Sequence, residues 1–146
     1  MITAAGPEDL APRTLYRILR LRAEVFVVEQ ACPFLDVDGR DLLPSTVHLW
    51  ADPDPSAPTV AAALRVLRED RDDGAVRIGR VATSLGWRRR GLAGALVEHA
   101  LGLAGRAPVV VDAQARLAGW YRRWGFERAG ADFVEDGIVH VPMRRP

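Results

Sequence analysis

The chain has no lysine, a single cysteine and no long apolar run. Because Cys32 stands alone, the sequence excludes an intramolecular disulfide and a cysteine-based metal cluster, and it favours a reducing compartment. No apolar stretch approaches the roughly 20 residues of a membrane-spanning helix. The N-terminus also lacks a basic region followed by an apolar core, so no export signal is expected. These absences together predict a cytoplasmic protein that has no membrane partner.

Charge is nearly balanced along the 146 residues. The 20 basic side chains are all arginine and face 19 carboxylates, which gives a net charge of +1. A general nucleic-acid binder usually has a marked basic excess, so binding of nucleic acid is not expected. The length predicts one domain over residues 1–146, with 49% hydrophobic residues to supply its core.

The stretch 77–103 predicts a strand, a tight turn and a helix. Residues 77–83 alternate between polar and apolar side chains, as a strand does. Leu92, Leu96, Ala100 and Leu103 fall on one face of a helix. We therefore expect a strand to run directly into a helix at this point.

The turn between this strand and helix has the composition of a phosphate site. It contains Gly91 and Gly94, which allow close approach of the backbone, and three consecutive arginines, Arg88, Arg89 and Arg90. A helix start adds free N–H groups and a partial positive charge. A Walker loop would need a lysine and a Rossmann fingerprint a third glycine, so neither fits. A solvated arginine-rich turn is the alternative.

The remaining elements predict a mixed sheet. A strand–helix–strand crossover lies among antiparallel hairpins, which gives an α/β (α+β) fold with a mostly antiparallel sheet and helices on both faces. The predicted elements are an edge strand over 2–5, a helix from Pro7 to Arg22, a second helix or a bent continuation over 21–30, strands over 46–50, 60–67 and 76–83 with a charged turn over 68–74, a helix from Gly91 to Gly102 or Gly105, a strand over 108–113, a helix over 115–124, and a closing hairpin of 126–134 and 138–143.

The segment 31–45 carries three carboxylates at close spacing, Asp36, Asp38 and Asp41. A calcium loop of the EF-hand type would need a glutamate six residues after its glycine, but Ser45 stands six residues after Gly39. A solvated loop with a turn at Asp38 and Gly39, or a loop that lines a substrate site, are the other interpretations.

Two spaced motifs resemble those of the GNAT acyltransferases. The first is Arg-x-x-Gly-x-Ala at residues 88–93, which is similar to the pyrophosphate-binding signature of that superfamily. The second is an alanine-rich helix that ends in Tyr121-x-x-x-Gly125-Phe126. The segments 19–30, 32–33, 38–41, 114–115 and 135–140, together with His48, resemble the ElaA-type branch. The resemblance implies the GNAT fold, a metal-free enzyme and acetyl-CoA as the acyl donor for a small-molecule or peptide amine.

The resemblance also implies where the donor binds and what Tyr121 does. Tyr121 would face the sulfur and protonate the departing thiolate, and a backbone N–H near Ala82 would stabilise the oxyanion. The residues predicted to bind the donor are Val81, Ala82, Thr83, Arg88, Arg89, Arg90, Gly91, Leu92, Ala93, Gly94, Gln114 and Tyr121.

An acetyl acceptor amine must lose a proton, so the site needs a base. The candidates are Glu29, which follows an apolar run that would line the acceptor cleft, then His48, with Asp136 and His140 as further choices. Phe26, Glu29, Asp136 and His140 are predicted to contact the acceptor.

Other functions stay open at this stage. They are a non-catalytic acyl-CoA sensor, an enzyme like the acyl-homoserine-lactone synthases, which share the fold, and an RNA-associated module that uses Arg88 to Arg90 with Arg122 and Arg123. A homodimer is compatible with each.

Overall fold

A computed structural model describes residues 2–70 and 73–146. Within them the strands are β1 (Ile2–Ala5), β2 (Val47–Ala51), β3 (Ala62–Arg68), β4 (Val76–Thr83), β5 (Val109–Gln114), β6 (Glu127–Arg128), β7 (Phe133–Glu135) and β8 (Ile138–Arg145). The helices are α1 (Pro12–Arg22), α2 (Leu92–Ala104) and α3 (Ala118–Arg122). A π-helical segment, Ala23–Glu29, continues α1 without a break.

The strands form one sheet in the order β1-β2-β3-β4-β5-β8-β6, and β7 pairs with β8. Every neighbouring pair is antiparallel except β4 and β5, which are parallel and are connected through α2. This arrangement confirms the predicted mixed, mostly antiparallel sheet.

Helices pack on both faces of the sheet because its central strands are apolar on both sides. Ala62 and Leu64 of β3 pack in one core cluster with α2 and α3, which contribute Leu96 and Tyr121. Ala63, between them in the chain, packs in a second cluster with α1. Side chains alternate along a strand, so the two clusters lie on opposite faces.

The predicted helix from Pro7 is interrupted. Pro7–Asp9 is a single 3-10 turn, and α1 begins only at Pro12. Proline has no N–H and its ring clashes with the carbonyl four residues earlier, so Pro12 can start a helix but cannot continue one. Ala11 is extended, as the residue before a proline usually is.

The closing hairpin is also more broken than predicted. The expected strand over 126–134 is split into β6 and β7, with residues 129–132 between them. Pro142 of β8 has no N–H to offer a partner strand, and a Cβ at Gly130 would lie 3.1 Å from the Pro142 ring. The ladder therefore breaks beside Pro142.

Other bounds shift by a few residues. The predicted helix over 115–124 is a 3-10 turn, Ala115–Leu117, followed by α3. Helix α2 lies between Gly91 and Gly105, so it ends at the later of the two predicted positions, Gly102 and Gly105. The predicted turn over 68–74 includes Arg71 and Asp72, which lie outside the described residues.

Candidate active site

The site is a cleft that opens inside the sheet, between β4 and β5. These two strands pair at only two positions, Val76 with Val109 and Arg77 with Val110, although β4 continues to Thr83 and β5 to Gln114. Beyond the second pair they diverge. The cleft has a volume of about 1170 Å³ and takes residues from both sides of the gap.

An irregularity in β4 accompanies the divergence. The register between β3 and β4 shifts at Ala63 and Arg65, which face the stretch 79–82 of β4. Within that stretch Arg80 adopts a φ of 53°, in the left-handed region that side chains other than glycine rarely occupy. A bulge of this kind bends a strand and redirects its side chains. Here the bulge lies in the part of β4 that no longer pairs with β5.

The start of α2 forms one end of the cleft. Gly91 has a φ of 76° and directly precedes the 13-residue helix. The first N–H groups of a helix have no intrahelical partner, and here no side chain caps them. Leu92, Ala93 and Gly94 line the cleft, as does Arg89. Free N–H groups, the positive end of a helix dipole and an arginine suit a pyrophosphate, so these residues fit the phosphates of an acyl-CoA.

Two of the three predicted phosphate arginines are engaged elsewhere. Arg88 donates from Nε to the Thr83 carbonyl at 3.0 Å and from Nη1 and Nη2 to the two Glu29 oxygens at 2.8 and 2.5 Å. Arg90 lies over the Trp87 ring, 4.7 Å from its centre, and does not line the cleft. Both side chains therefore stabilise the loop over residues 88–91. Arg88 also lines the cleft, whereas Arg90 does not, so their contact with the phosphates stays a prediction.

Tyr121 on α3 lines the cleft while its ring packs in the core. It makes edge contacts with Trp120 and Phe126, at ring-centre distances of 4.9 and 5.8 Å. Burial raises the pKa of its hydroxyl, which therefore stays protonated across the neutral range. No other residue in the described parts of the chain is hydrogen-bonded to this hydroxyl.

The π-helical segment forms the opposite wall. Phe26 and Glu29 line the cleft from this segment, and so does Gln30 directly after it. Gln30 and Gln114 exchange two amide hydrogen bonds, at 3.4 and 3.2 Å, and so connect the segment to β5 across the gap. π-Helical turns occur frequently at functional sites.

Glu29 is poorly suited to the base role that the sequence favoured. Hydrogen bonds from Arg88 hold the pKa of the Glu29 carboxyl below its ordinary value, although partial burial opposes that shift. A carboxylate that is bound by both guanidinium nitrogens accepts a proton less readily. Its position at the cleft agrees with the sequence, whereas its chemistry favours a role in holding Arg88.

His48 lies outside the cleft, which corrects its candidacy as base. It is fully buried on β2 and donates from Nε2 to the Asp41 carbonyl at 2.9 Å. Its other nitrogen has no partner among the described residues. Burial lowers the pKa of the ring, which therefore stays neutral. The ring is therefore not exposed to an amine bound in the cleft.

The closing hairpin also contributes to the wall of the cleft. Asp136 and His140 both line the cleft. The Cys32 thiol donates to the Asp136 carbonyl at 2.7 Å and so joins the segment 31–45 to the hairpin. His140 donates from Nδ1 to the Ile138 carbonyl at 2.8 Å and stacks on Phe133.

The three carboxylates of segment 31–45 bind arginines. Arg22 contacts Asp36 at 2.9 Å and Asp41 at 2.5 Å, and all three side chains are buried. Arg65 contacts Asp38 at 2.7 Å and Asp41 at 3.1 Å. Hydrogen bonds from Arg65 hold the pKa of Asp38 well below its usual range. These contacts replace the calcium interpretation with an arginine network.

A third arginine completes this network from the bulge of β4. The Nε of Arg80 lies 2.8 Å from an Asp36 oxygen, and its Nη2 donates to the Asp36 carbonyl at 3.1 Å. Asp38 and Arg80 also line the cleft, so the segment that these arginines hold forms part of its wall. Sequence reasoning missed the arginines, although Arg22 continues the apolar face of α1 and Arg65 interrupts an apolar strand.

The described residues offer neither a cluster of metal ligands nor a membrane-spanning helix. In residues 2–70 and 73–146, no group of three or more His, Cys, Asp or Glu side chains could hold a metal ion. Over the same residues, every helix is too short or too polar to cross a membrane.

Comparisons with known proteins agree on one family. The sequence model described as an acetyltransferase (GNAT) domain matches residues 51–145. A UPF0039 protein of Mycobacterium tuberculosis is 47% identical over 95% of this chain and 88% of its own length. Protein ElaA of Escherichia coli is 36% identical over 94% of this chain and 90% of its own length.

Solved structures give the same result. The crystal structure of Escherichia coli ElaA superposes with a TM-score of 0.90 at 33% identity and covers 100% of this chain and 99% of that one. An acyl-CoA N-acyltransferase from Pseudomonas aeruginosa superposes with a TM-score of 0.89 at 43% identity, with the same coverage.

Proposed function

The chain belongs to the GNAT acetyltransferases, in the ElaA-type branch, and on that premise we propose that it moves an acetyl group from acetyl-CoA to a primary amine. The family makes it an acyltransferase enzyme with an acyl-CoA donor. The acetyl group, the primary amine and the residue roles are the proposal.

One observation carries the proposal. The uncapped start of α2, the gap between β4 and β5, and Tyr121 line a single continuous cleft. A phosphate site at one end of a gap in a sheet suits a donor whose charged head is separated from its reactive thioester by an extended arm. The amine then approaches between the π-helical segment and the closing hairpin.

In this proposal the amine nitrogen attacks the thioester carbon directly. A simple alkylamine has a pKa of about 10, so a group in the cleft has to accept its proton. The oxyanion that forms needs a hydrogen-bond donor, and the backbone of residues 78–83 that points away from β3 offers N–H groups to the cleft. Tyr121, which is protonated, donates to the sulfur as the C–S bond breaks.

The test is release of free thiol from acetyl-CoA in the presence of a panel of amines, with the acetylated product identified by mass. The panel should include amino acids, polyamines, aminoglycosides and peptides with free N-termini. Thiol release above spontaneous hydrolysis with at least one amine, together with the acetylated product, supports the proposal. Binding of acetyl-CoA without turnover on the whole panel would contradict it and would favour a sensor.

The same assay measures the acyl preference. Propionyl-CoA and longer acyl donors are compared with acetyl-CoA on the best amine. A higher kcat/KM for a longer acyl group would refute the acetyl part of the proposal and leave the acyltransferase class unchanged.

A further inference from the structure

His140 occupies the acceptor side of the cleft in a row of side chains that crosses three strands. In the sheet it lies directly opposite Gln114 of β5 and Phe133 of β7. Residues directly opposite each other in antiparallel strands present their side chains on the same face. Gln30, directly after the π-helical segment, is hydrogen-bonded to Gln114. The row therefore connects the closing hairpin to the opposite side of the cleft, between which the amine is proposed to approach.

The orientation of the His140 ring is fixed by two contacts. Its ring stacks on Phe133 with a centre distance of 5.4 Å and an angle of 17° between planes. Its Nδ1 lies 2.8 Å from the Ile138 carbonyl oxygen. A carbonyl oxygen only accepts hydrogen bonds, so Nδ1 carries the proton and, in the neutral ring, Nε2 carries the lone pair.

Nε2 of His140 is free to take a proton. It is hydrogen-bonded to no other group in residues 2–70 and 73–146, and the residue lines the cleft. The other three base candidates differ from His140. Glu29 is held by both nitrogens of Arg88, His48 is buried outside the cleft, and Asp136 is exposed on the hairpin turn. Of the four, His140 alone combines an open lone pair on a ring of fixed orientation with a half-buried position in the cleft.

We propose that His140 is the general base that receives the proton of the acceptor amine at Nε2. The inference deepens the proposed function and rests on it. The lone pair of the amine nitrogen forms the N–C bond to the acyl carbon, and one N–H proton passes to Nε2. The C–S bond then breaks, and its electron pair leaves with the sulfur. The sulfur takes the proton that Tyr121 donates, Tyr121 regains a proton from solvent, and the ring releases its proton to solvent, so the products are an amide and a free thiol and both side chains return to their starting forms.

Charged side chains also line this part of the cleft. They come from every surrounding element: Glu135 and Asp136 from the hairpin, Asp112 from β5, Arg116 after it, and Glu29 from the π-helical segment. Two of these carboxylates are already paired, Glu29 with Arg88 and Asp112 with Arg77. Glu135 and Asp136 are not paired with an arginine within the described residues.

The first experiment observes the free protein. Long-range proton–nitrogen NMR of the histidine rings distinguishes which nitrogen carries hydrogen, and the chain has only three histidines. His140→Ala and His99→Ala identify the signals, because His99 is exposed on α2 and lies outside the cleft. At high pH the His140 ring is expected in the form protonated at Nδ1. A ring protonated mainly at Nε2 would overturn the inference.

The second experiment measures turnover against pH, with the amine identified by the thiol-release screen. His140→Ala is expected to lose about 10²-fold or more in kcat and to lose the acidic limb of the profile. The KM for acetyl-CoA and the melting temperature should stay close to those of His99→Ala, which serves as control. Added imidazole should restore part of the rate in His140→Ala and none in the control.

The outcomes separate this inference from the function on which it rests. Full turnover with an intact acidic limb in His140→Ala overturns the base role and leaves the acyltransferase proposal in place. A lower rate that imidazole does not restore, with the acidic limb unchanged, also overturns it, because a merely structural role gives that pattern. Absence of turnover by the wild type with every amine overturns the proposed function, and this inference with it.

Discussion

Replacing Arg22 by methionine should destabilise the protein strongly, although Arg22 lies far along the chain from residues 88–94, where the phosphates are expected to bind. Its guanidinium donates to Asp36 through one side-chain bond at 2.9 Å and to both oxygens of Asp41 at 2.5 and 3.2 Å. All three side chains are at most 5% exposed. Methionine keeps much of the volume but leaves two buried carboxylates without this partner.

The magnitude follows from the burial. Removing one member of a buried ion pair typically costs about 3–5 kcal/mol, because the remaining charge is left uncompensated. For a chain of this size each kcal/mol lowers the melting temperature by about 2–4 °C, so Arg22→Met should lower it by roughly 6–20 °C. Arg20→Met is the matched control. Arg20 precedes Arg22 by two residues and pairs with Glu24 at 3.3 Å, but both side chains are half exposed. Its loss should cost about 0.5 kcal/mol or less.

The assay is thermal unfolding followed by circular dichroism, repeated between pH 3 and pH 7. Burial raises the pKa of Asp41, but hydrogen bonds from Arg22 and Arg65 outweigh it and hold the pKa below its ordinary value. A carboxyl with a lowered folded-state pKa contributes stability that is present above the unfolded value of about 3.9 and is lost as the pH falls through the folded one. The difference between wild type and Arg22→Met should therefore shrink towards pH 3. Equal melting temperatures for wild type and Arg22→Met at pH 7 would refute the reasoning. A difference between them that does not change with pH would also refute it.

Three further predictions concern the cleft. Gly91→Glu should abolish acetyl-CoA binding in calorimetry, whereas Gly91→Ala should retain measurable affinity. Alanine carries the same backbone strain at a φ of 76° without the charge, so equal losses of affinity would assign the effect to strain alone. Tyr121→Phe should lower kcat by roughly 10²-fold with the melting temperature nearly unchanged, since the ring contacts persist, and a lower melting temperature with full kcat would indicate a packing role only. Glu29→Gln should leave the acidic limb of the pH–rate profile in place and lower kcat less than tenfold; loss of that limb would return the base role to Glu29.

Much of the fold could be predicted because its signals are local. The glycines that flank α2 mark its ends, and the alternation in β4 marks a strand. The break at Pro12 was equally visible in the sequence, but the helical spacing of the apolar residues around it outweighed the proline. Local pattern therefore identified elements better than it identified their ends.

The chemistry of the site depends on long-range contacts, which local patterns do not encode. The sequence offered His48 and His140 as similar histidines on strands. What separates them is that the carbonyl of Asp41 holds one inside the core, while the carbonyl of Ile138 orients the other towards the cleft. Arg22 likewise has the spacing of the apolar face of α1, and nothing local in the sequence indicates its two carboxylate partners, Asp36 and Asp41.

The divergence of β4 and β5 has a further consequence for how the sequence of this region can change. Two internal strand edges face each other there, and beyond Arg77 and Val110 no ladder joins them. An extended molecule that carries amide groups can pair with such an edge as an added strand does, through backbone groups alone. Coenzyme A has two amides in its arm. Apart from Arg80, we therefore expect the side chains of residues 78–83 to be replaceable by others of similar size without loss of donor binding. The opening in the sheet, more than the side chains along it, defines this part of the site.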